Sequence, residues 1–571
     1  MTTSTHPPHY WKAIEHDAQR LVAGSFRNFS RRNYLIQLTN DDEAKKVADA
    51  RQTKNVDKLD FYTRRRKNWC VDGVLPREVF YGLIRHWLKT GALAANPITP
   101  EDSCKANPAP GKPSYFVDVG ITFQGFLQID AHTQLTDLFR RKAPAYAEGA
   151  YWRAAEKLGD TGPHAPPLWD TRYLKDHLHA VLIVHTKAPE GFASFESEVS
   201  DVFVAIESVV KISDGCTATP SQSNSTPGWI ESSHALGETR EIHFGMIDGL
   251  SAPRFFGIST KKQIDQENAV NVHSPGELLL GHIKNDKSNP WLMPGAYAQE
   301  HPTHPLNALP ARNAYGNFFK NGSFGVLRRI RQNVPEFESF VEEQAEIFQG
   351  SHDLDYFAAW LKAKIVGRWP NGERVSEYID TSIPGKLTED QLARTKPDYV
   401  SNNPSTTNQF VYQNDRDGLA CPFGAHIRRM NPRDDPVVPK LRRPLLRKGL
   451  PYGKKYEPKT GNSDDDRGLL GLFFCSSVEE QFEHLMGNWA NNNPMGMPFT
   501  QAGKDPLIGN QELVGNRFEI PRRHCLPLVL EGLQAFVQTR GTCYAFFPSL
   551  AALKSIEEGK ISNATRFLQP R

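Results

Sequence analysis

Apolar residues recur along this chain with two periods, and each period predicts an element. Tyr115–Ile121 (YFVDVGI) alternates apolar and polar side chains, the pattern of a half-buried strand. His179–His185 (HAVLIVH) is a continuous apolar run of strand length, and Tyr34–Leu38 is a shorter one. Phe195–Ser213 carries helical spacing through Val199, Val202, Phe203, Ile206 and Val210. Farther on, Gly322–Val334 begins as a strand, and Glu336–Phe348 and Tyr356–Val366 read as helices. Phe482, Leu485, Met486 and Trp489 fall at i, i+3, i+4 and i+7, again helical. Leu533–Leu553 holds a strand and a closing helix. Strands followed by helices predict an α+β fold.

Two stretches interrupt the pattern. Asn96–Ser114 is rich in Pro, and Thr217–Gly228 is rich in Ser, Thr and Pro. A length of 571 residues exceeds one ordinary core. The expected division is therefore residues 1–235 and 236–571, just past the second stretch.

Composition narrows the class. With 39% hydrophobic and 23% charged residues the chain is of globular type. A net charge of +3, from 68 basic and 65 acidic residues, gives no electrostatic case for nucleic acid. No apolar run approaches the ~20 residues of a membrane helix, and the N-terminal segment lacks the apolar core of a signal peptide. No membrane partner and a cytoplasmic location are expected, with secretion of a processed form left open. Seven scattered cysteines without a CxxC pair indicate neither zinc nor a disulfide framework.

Three segments carry candidate chemistry. Phe244–Pro253 (FGMIDGLSAP) places Asp248 before a glycine, which on local grounds reads first as a turn. Cys421–Arg433 (CPFGAHIRRMNPR) contains His426, and imidazole is the usual fifth ligand of haem iron in globins and peroxidases. Leu445–Gly453 (LLRKGLPYG) contains Arg447, which equally reads as a solvated arginine near a turn. No single one of them assigns a function.

Together, in this order and with Arg447 lying 447 − 426 = 21 positions after His426, they resemble the signature of the dye-decolorising haem peroxidases. Further segments resemble the family's longer members: GSFGVLRRIRQNV, IVGRWPNG (Ile365–Gly372), Asp466–Trp489, KDPLIG (Lys504–Gly509) and RGTCYAFFPSL (Arg540–Leu550). The likeness is dense over residues 236–571 and sparser before them.

The resemblance implies two ferredoxin-like α+β domains, antiparallel sheets flanked by helices, with haem b in the C-terminal one. It implies His426 as the axial ligand of the iron, with Asp248 and Arg447 on the opposite side. The implied activity uses hydrogen peroxide to oxidise dyes, phenolics and similar aromatic electron donors through a ferryl intermediate. A carboxylate there can move a proton between the two peroxide oxygens. A permanently charged guanidinium can hold the peroxide and stabilise the charge that develops. An axial histidine needs an acceptor at its other nitrogen; Asp505 is the candidate and Glu480 the alternative. Arg428 and Arg433 are candidates for the haem propionates. Trp489 matches an aromatic that serves some members as a surface electron relay, although its spacing favours core packing. Where related chains often read R-G-L-L-F, this one reads Arg467-Gly-Leu-Leu-Gly471, so either the pocket is more open there or Leu472 or Phe473 fills it. The competing classes are a haem-binding or iron-handling protein with little turnover, and a structural α+β protein without cofactor.

Overall fold

The computed structural model describes residues 17–19, 22, 30–36, 38–39, 75–94, 114–129, 133–170, 173, 178–186, 191–195, 229–232, 241–291, 318–350, 352–375, 408, 411–435, 442–460, 466–492, 503–511 and 516–558. The predicted helix through Val199 to Val210, and all but Ser114 of the two Pro- and Ser-rich stretches, lie outside these residues.

One nine-stranded antiparallel sheet organises the chain. Its strands are β1 (Ser30–Ile36), β2 (Phe116–Ile121), β3 (Ala180–Thr186), β4 (Trp229–Ser232), β5 (Ser323–Gln332), β6 (Leu446–Arg447), β7 (Leu450–Tyr452), β8 (Gly468–Cys475) and β9 (Val537–Phe547). The spatial order is β6-β8-β5-β9-β2-β3-β1-β4, with β7 continuing β6 along β8. The α+β class and the antiparallel pairing are as expected. The expected two sheets, however, join edge to edge. The strands before residue 235 and those after it meet at β9–β2, through the single register pair Phe546↔Ile121.

Both faces of the sheet are covered, which is why its strands read as near-continuous apolar runs. All of β2 and β3 is buried. One face packs Val117, Val119, Phe324, Val326, Tyr544 and Phe546 against Phe482 and Met486. The other packs Leu327, Leu470, Leu472, Phe474 and Phe547 around Trp169 and Tyr173. A third core includes α1 (Val334–Phe348) and α2 (Leu354–Val366), with Phe337 and Phe340 packed on Phe536 and Phe357 on Trp360. Asp353 caps α2 by accepting from the Tyr356 N–H, and Gly367, in the left-handed conformation, ends it.

The basic run of β5 is internal glue. Arg328 pairs with Asp160 at 2.6 Å, and Arg329 pairs with Asp170 at 2.8 Å and with Asp466. Val478–Ala490 is helical as its spacing predicts, but it winds as a π-helix instead of an α-helix. Asn491 and Asn492 side chains cap its carbonyls at Met486 and Gly487.

Candidate active site

His426 opens the short helix α3 (His426–Met430), and three contacts on successive sides fix it. Arg428 reaches below the helix to Asp435 at 2.7 Å, Asp415 at 2.8 Å and the Cys421 carbonyl at 2.6 Å. Its guanidinium is sandwiched between the Tyr412 and Phe423 rings, 4.6 and 4.2 Å from their centroids. Arg429 donates to the Trp489 carbonyl in the last turn of the π-helix and to the Asn492 and Gly503 carbonyls beyond it. The His426 ring itself contacts Asp505, with Nδ1 2.9 Å from Oδ2.

The Asp505 carboxylate is wholly buried and divided between two tasks. Oδ2 faces His426, while Oδ1 accepts the Leu507 and Ile508 N–H groups at 2.9 and 3.0 Å. Burial pushes its pKa up, but the His426 ring, the Ile508 N–H and Arg429 outweigh that and hold it below the usual aspartate value. An anionic acceptor at Nδ1 calls for a proton there, so the ring's other nitrogen, Nε2, is the one left to offer a lone pair to a ligand. Asp505 thus does two things at once: it shapes the Asp-Pro turn and it bonds the His426 ring. Gly509 is needed here because a Cβ would stand 2.6 Å from the Asp505 carbonyl oxygen. The alternative partner, Glu480, is elsewhere, paired with Lys284 at 2.6 Å.

Asp248 follows a two-residue strand, Met246–Ile247, and is exposed on a turn between Gly245 and Gly249. Both glycines have positive φ, 70° and 79°, so the turn reading is correct for the backbone. The turn Gly367–Gly372 links this segment to α3. At its start, a Cβ on Gly367 would lie 3.2 Å from the Ile427 Cβ. At its end, one on Gly372 would lie 2.4 Å from the Leu250 Cδ1, and the Pro370 carbonyl accepts the Ile247 N–H at 3.1 Å. One short turn thus touches both the histidine's helix and the acid's loop.

Arg447 stands exposed on β6, and its Nη2 donates to the Ser251 carbonyl at 3.3 Å. The hydroxyl of the same serine accepts from Arg368 Nη2 at 2.5 Å. Burial first, then the nearby Arg433 and Arg447 charges, lower the Arg368 pKa to about 10 against the opposing Tyr412 and Asp248. Asp248, Arg368, Arg433 and Arg447 therefore share one electrostatic neighbourhood. Arg368 was missed at the level of sequence; its only signal was the Gly-Arg-Trp-Pro-Asn-Gly stop after an apolar helix.

Beside Arg447 the sheet carries a notch. Gly449, in the break before β7, lies against Gly471 of β8, where a Cβ on Gly449 would be 3.5 Å from the Gly471 Cα. The Phe473 ring fills the notch, its Cε2 within 2.6 Å of a Cβ placed on Gly471. Phe473 is also the cross-strand partner of Arg447. Of the two fillers expected, Phe473 takes the place, while Leu472 points to the opposite core.

Two expectations need correction. Arg428 is not available to a propionate, because its guanidinium is buried and engaged by Asp415, Asp435 and two carbonyls. Trp489 is not a surface residue: it is 3% exposed, with His484 edge-on at 5.7 Å, because the helix turns this side inward. Arg433 is buried as well, with Nη1 and Nη2 on the Asn408 carbonyl and Oδ1 at 2.8 and 2.7 Å.

No family model matches the chain. Among curated proteins it is similar to Peroxidase 2 of Mycetinis scorodonius, 29% identical over 339 residues, 55% of this chain and 56% of that one. It is 27% identical to a dye-decolorizing peroxidase of Exidia glandulosa, covering 67% of this chain and 66% of the other. Multifunctional dye peroxidase DyP2 of an Amycolatopsis species is 27% identical over 79% of this chain and 84% of its own. The chain thus spans little more than half the length of the first of these relatives. Among solved structures, a DyP-type peroxidase of Auricularia auricula-judae superposes with TM-score 0.64 at 18% identity, over 95% of this chain and 99% of that one. An ancestral D-type dye-decolorizing peroxidase gives 0.60 at 21%, with the same coverage.

Proposed function

The chain belongs to the dye-decolorising peroxidase family, and on that premise we propose that it is a haem peroxidase that uses hydrogen peroxide to oxidise dyes, phenolics and similar aromatic donors. The observation that carries this reading is the bond between His426 and the buried Asp505. A haem needs one protein ligand, since the porphyrin brings four nitrogens of its own. A neutral imidazole with Nδ1 tied to a carboxylate and Nε2 left as donor fits that need. Haem b is the form proposed.

When bound, the haem supplies the redox-active iron. His426 would hold it through Nε2, with Asp505 fixing the ring and raising its electron donation. Asp248 takes a proton from one peroxide oxygen and returns it to the other. Arg447 holds the peroxide and stabilises negative charge as the O–O bond opens. Arg433 is proposed for a propionate: it and Arg368 bring two positive charges together in the interior, which a carboxylate would offset.

The division into domains 1–235 and 236–571 belongs to the same proposal. It is supported by the single-pair seam between β9 and β2. A cytoplasmic location joins it, supported by the free thiols of Cys421, Cys475, Cys525 and Cys543. No described helix is long and apolar enough to cross a membrane.

The test is an absorption spectrum of haem-supplied protein before and after one equivalent of peroxide. A Soret band that changes with peroxide and is restored by a phenol is expected. A Soret band indifferent to peroxide would leave a haem-binding protein without turnover, and no Soret band at all would remove the haem.

A further inference from the structure

Arg447 and the notch beside it have a support that comes from the opposite end of the sheet. In hydrogen-bonded order β1 is far from β8, yet the sheet curls until its edge strand β4 touches β7. Arg31, on β1, crosses that closure. It is fully buried, and its Nη1 and Nη2 donate to the Lys448 and Leu470 carbonyls at 2.5 and 2.8 Å. Lys448 directly follows Arg447. Together with Gly449 it forms the break between β6 and β7, which both pair with β8 in one register (Arg447↔Phe473, Leu450↔Leu470). The Lys448 N–H still bonds the Leu472 carbonyl at 2.8 Å. Its carbonyl is given to Arg31.

We infer that Arg31 is a positioning residue for Arg447: its guanidinium clamps the Lys448–Gly449 break onto β8, so that the N-terminal strand fixes where the Arg447 side chain departs. Burying a guanidinium is costly, and burial, against an opposing effect of Tyr173, lowers the Arg31 pKa to about 9. Two charge-assisted bonds from one planar fork hold two neighbouring strands at a fixed spacing, which a lysine could not do. The inference rests on the role proposed for Arg447, since a fixed guanidinium matters only if something must meet it.

The test uses the full chain with Arg31→Leu, Arg31→Lys, Arg447→Leu and the Arg31→Leu/Arg447→Leu pair. Hydrogen exchange of segment 445–453 without haem reads the clamp directly, and a Soret titration reads haem uptake. The rate of the spectral change with peroxide reads the consequence. Arg31→Leu is expected to speed exchange at the Lys448 N–H about tenfold or more, to leave haem uptake intact and to slow the peroxide step by roughly tenfold to a hundredfold. In the Arg447→Leu background it should add less than about twofold. Unchanged exchange, or an equal slowing in both backgrounds, overturns the inference. If Arg31→Leu does not fold, Arg31→Lys decides: it must give faster exchange and a slower peroxide step that depends on Arg447. If the unaltered protein never responds to peroxide, the peroxidase reading falls, while exchange still reports whether Arg31 holds the break.

Discussion

The ring of Phe473 lies over Gly471, two residues back on the same face of β8, where a Cβ would come within 2.6 Å of it. The ring leans back over the glycine pair and packs on Phe482 at 5.3 Å.

That relationship predicts an asymmetric pair of substitutions. Gly471→Phe should cost about 1–3 kcal/mol by overpacking, because the Phe473 ring must leave the notch. Phe473→Ala alone should be tolerated better than a fully buried Phe→Ala, and adding it to Gly471→Phe should recover most of the loss. Thermal unfolding of the four proteins in a cycle checks this; strictly additive losses would mean that the two positions do not compete for one space.

Asp505→Asn keeps an acceptor for the Leu507 and Ile508 N–H groups but loses the charge that faces His426. Haem affinity, followed by Soret titration, should fall by roughly tenfold to a hundredfold, and the stability that the ionised carboxylate contributes at neutral pH should be lost with it. Asp505→Ala should also lose the turn, and so be destabilised in addition.

The same carboxylate sets an acid limit. Its folded pKa is depressed below its unfolded value, so its contribution is complete above the unfolded pKa near 4 and is lost as pH falls through the folded one. Melting temperature should therefore decline steeply below about pH 4 in the native protein and less steeply in Asp505→Asn. Parallel curves for the two proteins over pH 7 to 3 would show that Asp505 has no part in the acid loss.

Arg428→Met is expected to act on folding instead of on haem. Removing the guanidinium strands Asp435 and Asp415 in the interior, at a cost of about 3–5 kcal/mol. Denaturant unfolding should show that loss, while haem bound per folded molecule stays the same. A stable variant with weak haem binding would return Arg428 to the cofactor.

Asp248→Asn and Arg447→Leu should bind haem normally and slow the peroxide step by about a hundredfold or more. Stopped-flow spectra at one equivalent of peroxide measure it. Native rates in both would remove these residues from the proposed chemistry.

The sequence by itself determined the elements and the chemical inventory. Period-two alternation placed β2 and the apolar run placed β3, while helical spacing placed α1 and α2, because a buried face imposes its repeat on the residues that line it. The order of Asp248, His426 and Arg447 was equally legible, as residue types at fixed separations. What a side chain meets across hundreds of positions was not. Spacing could not say that Arg428 turns inward to Asp415 and Asp435, that Trp489 faces the core, that Val478–Ala490 winds as a π-helix, or that Arg31 reaches Lys448. Each of these depends on which surfaces the curled sheet brings together, and two identical arginines in one short helix differ only in what happens to lie beside them.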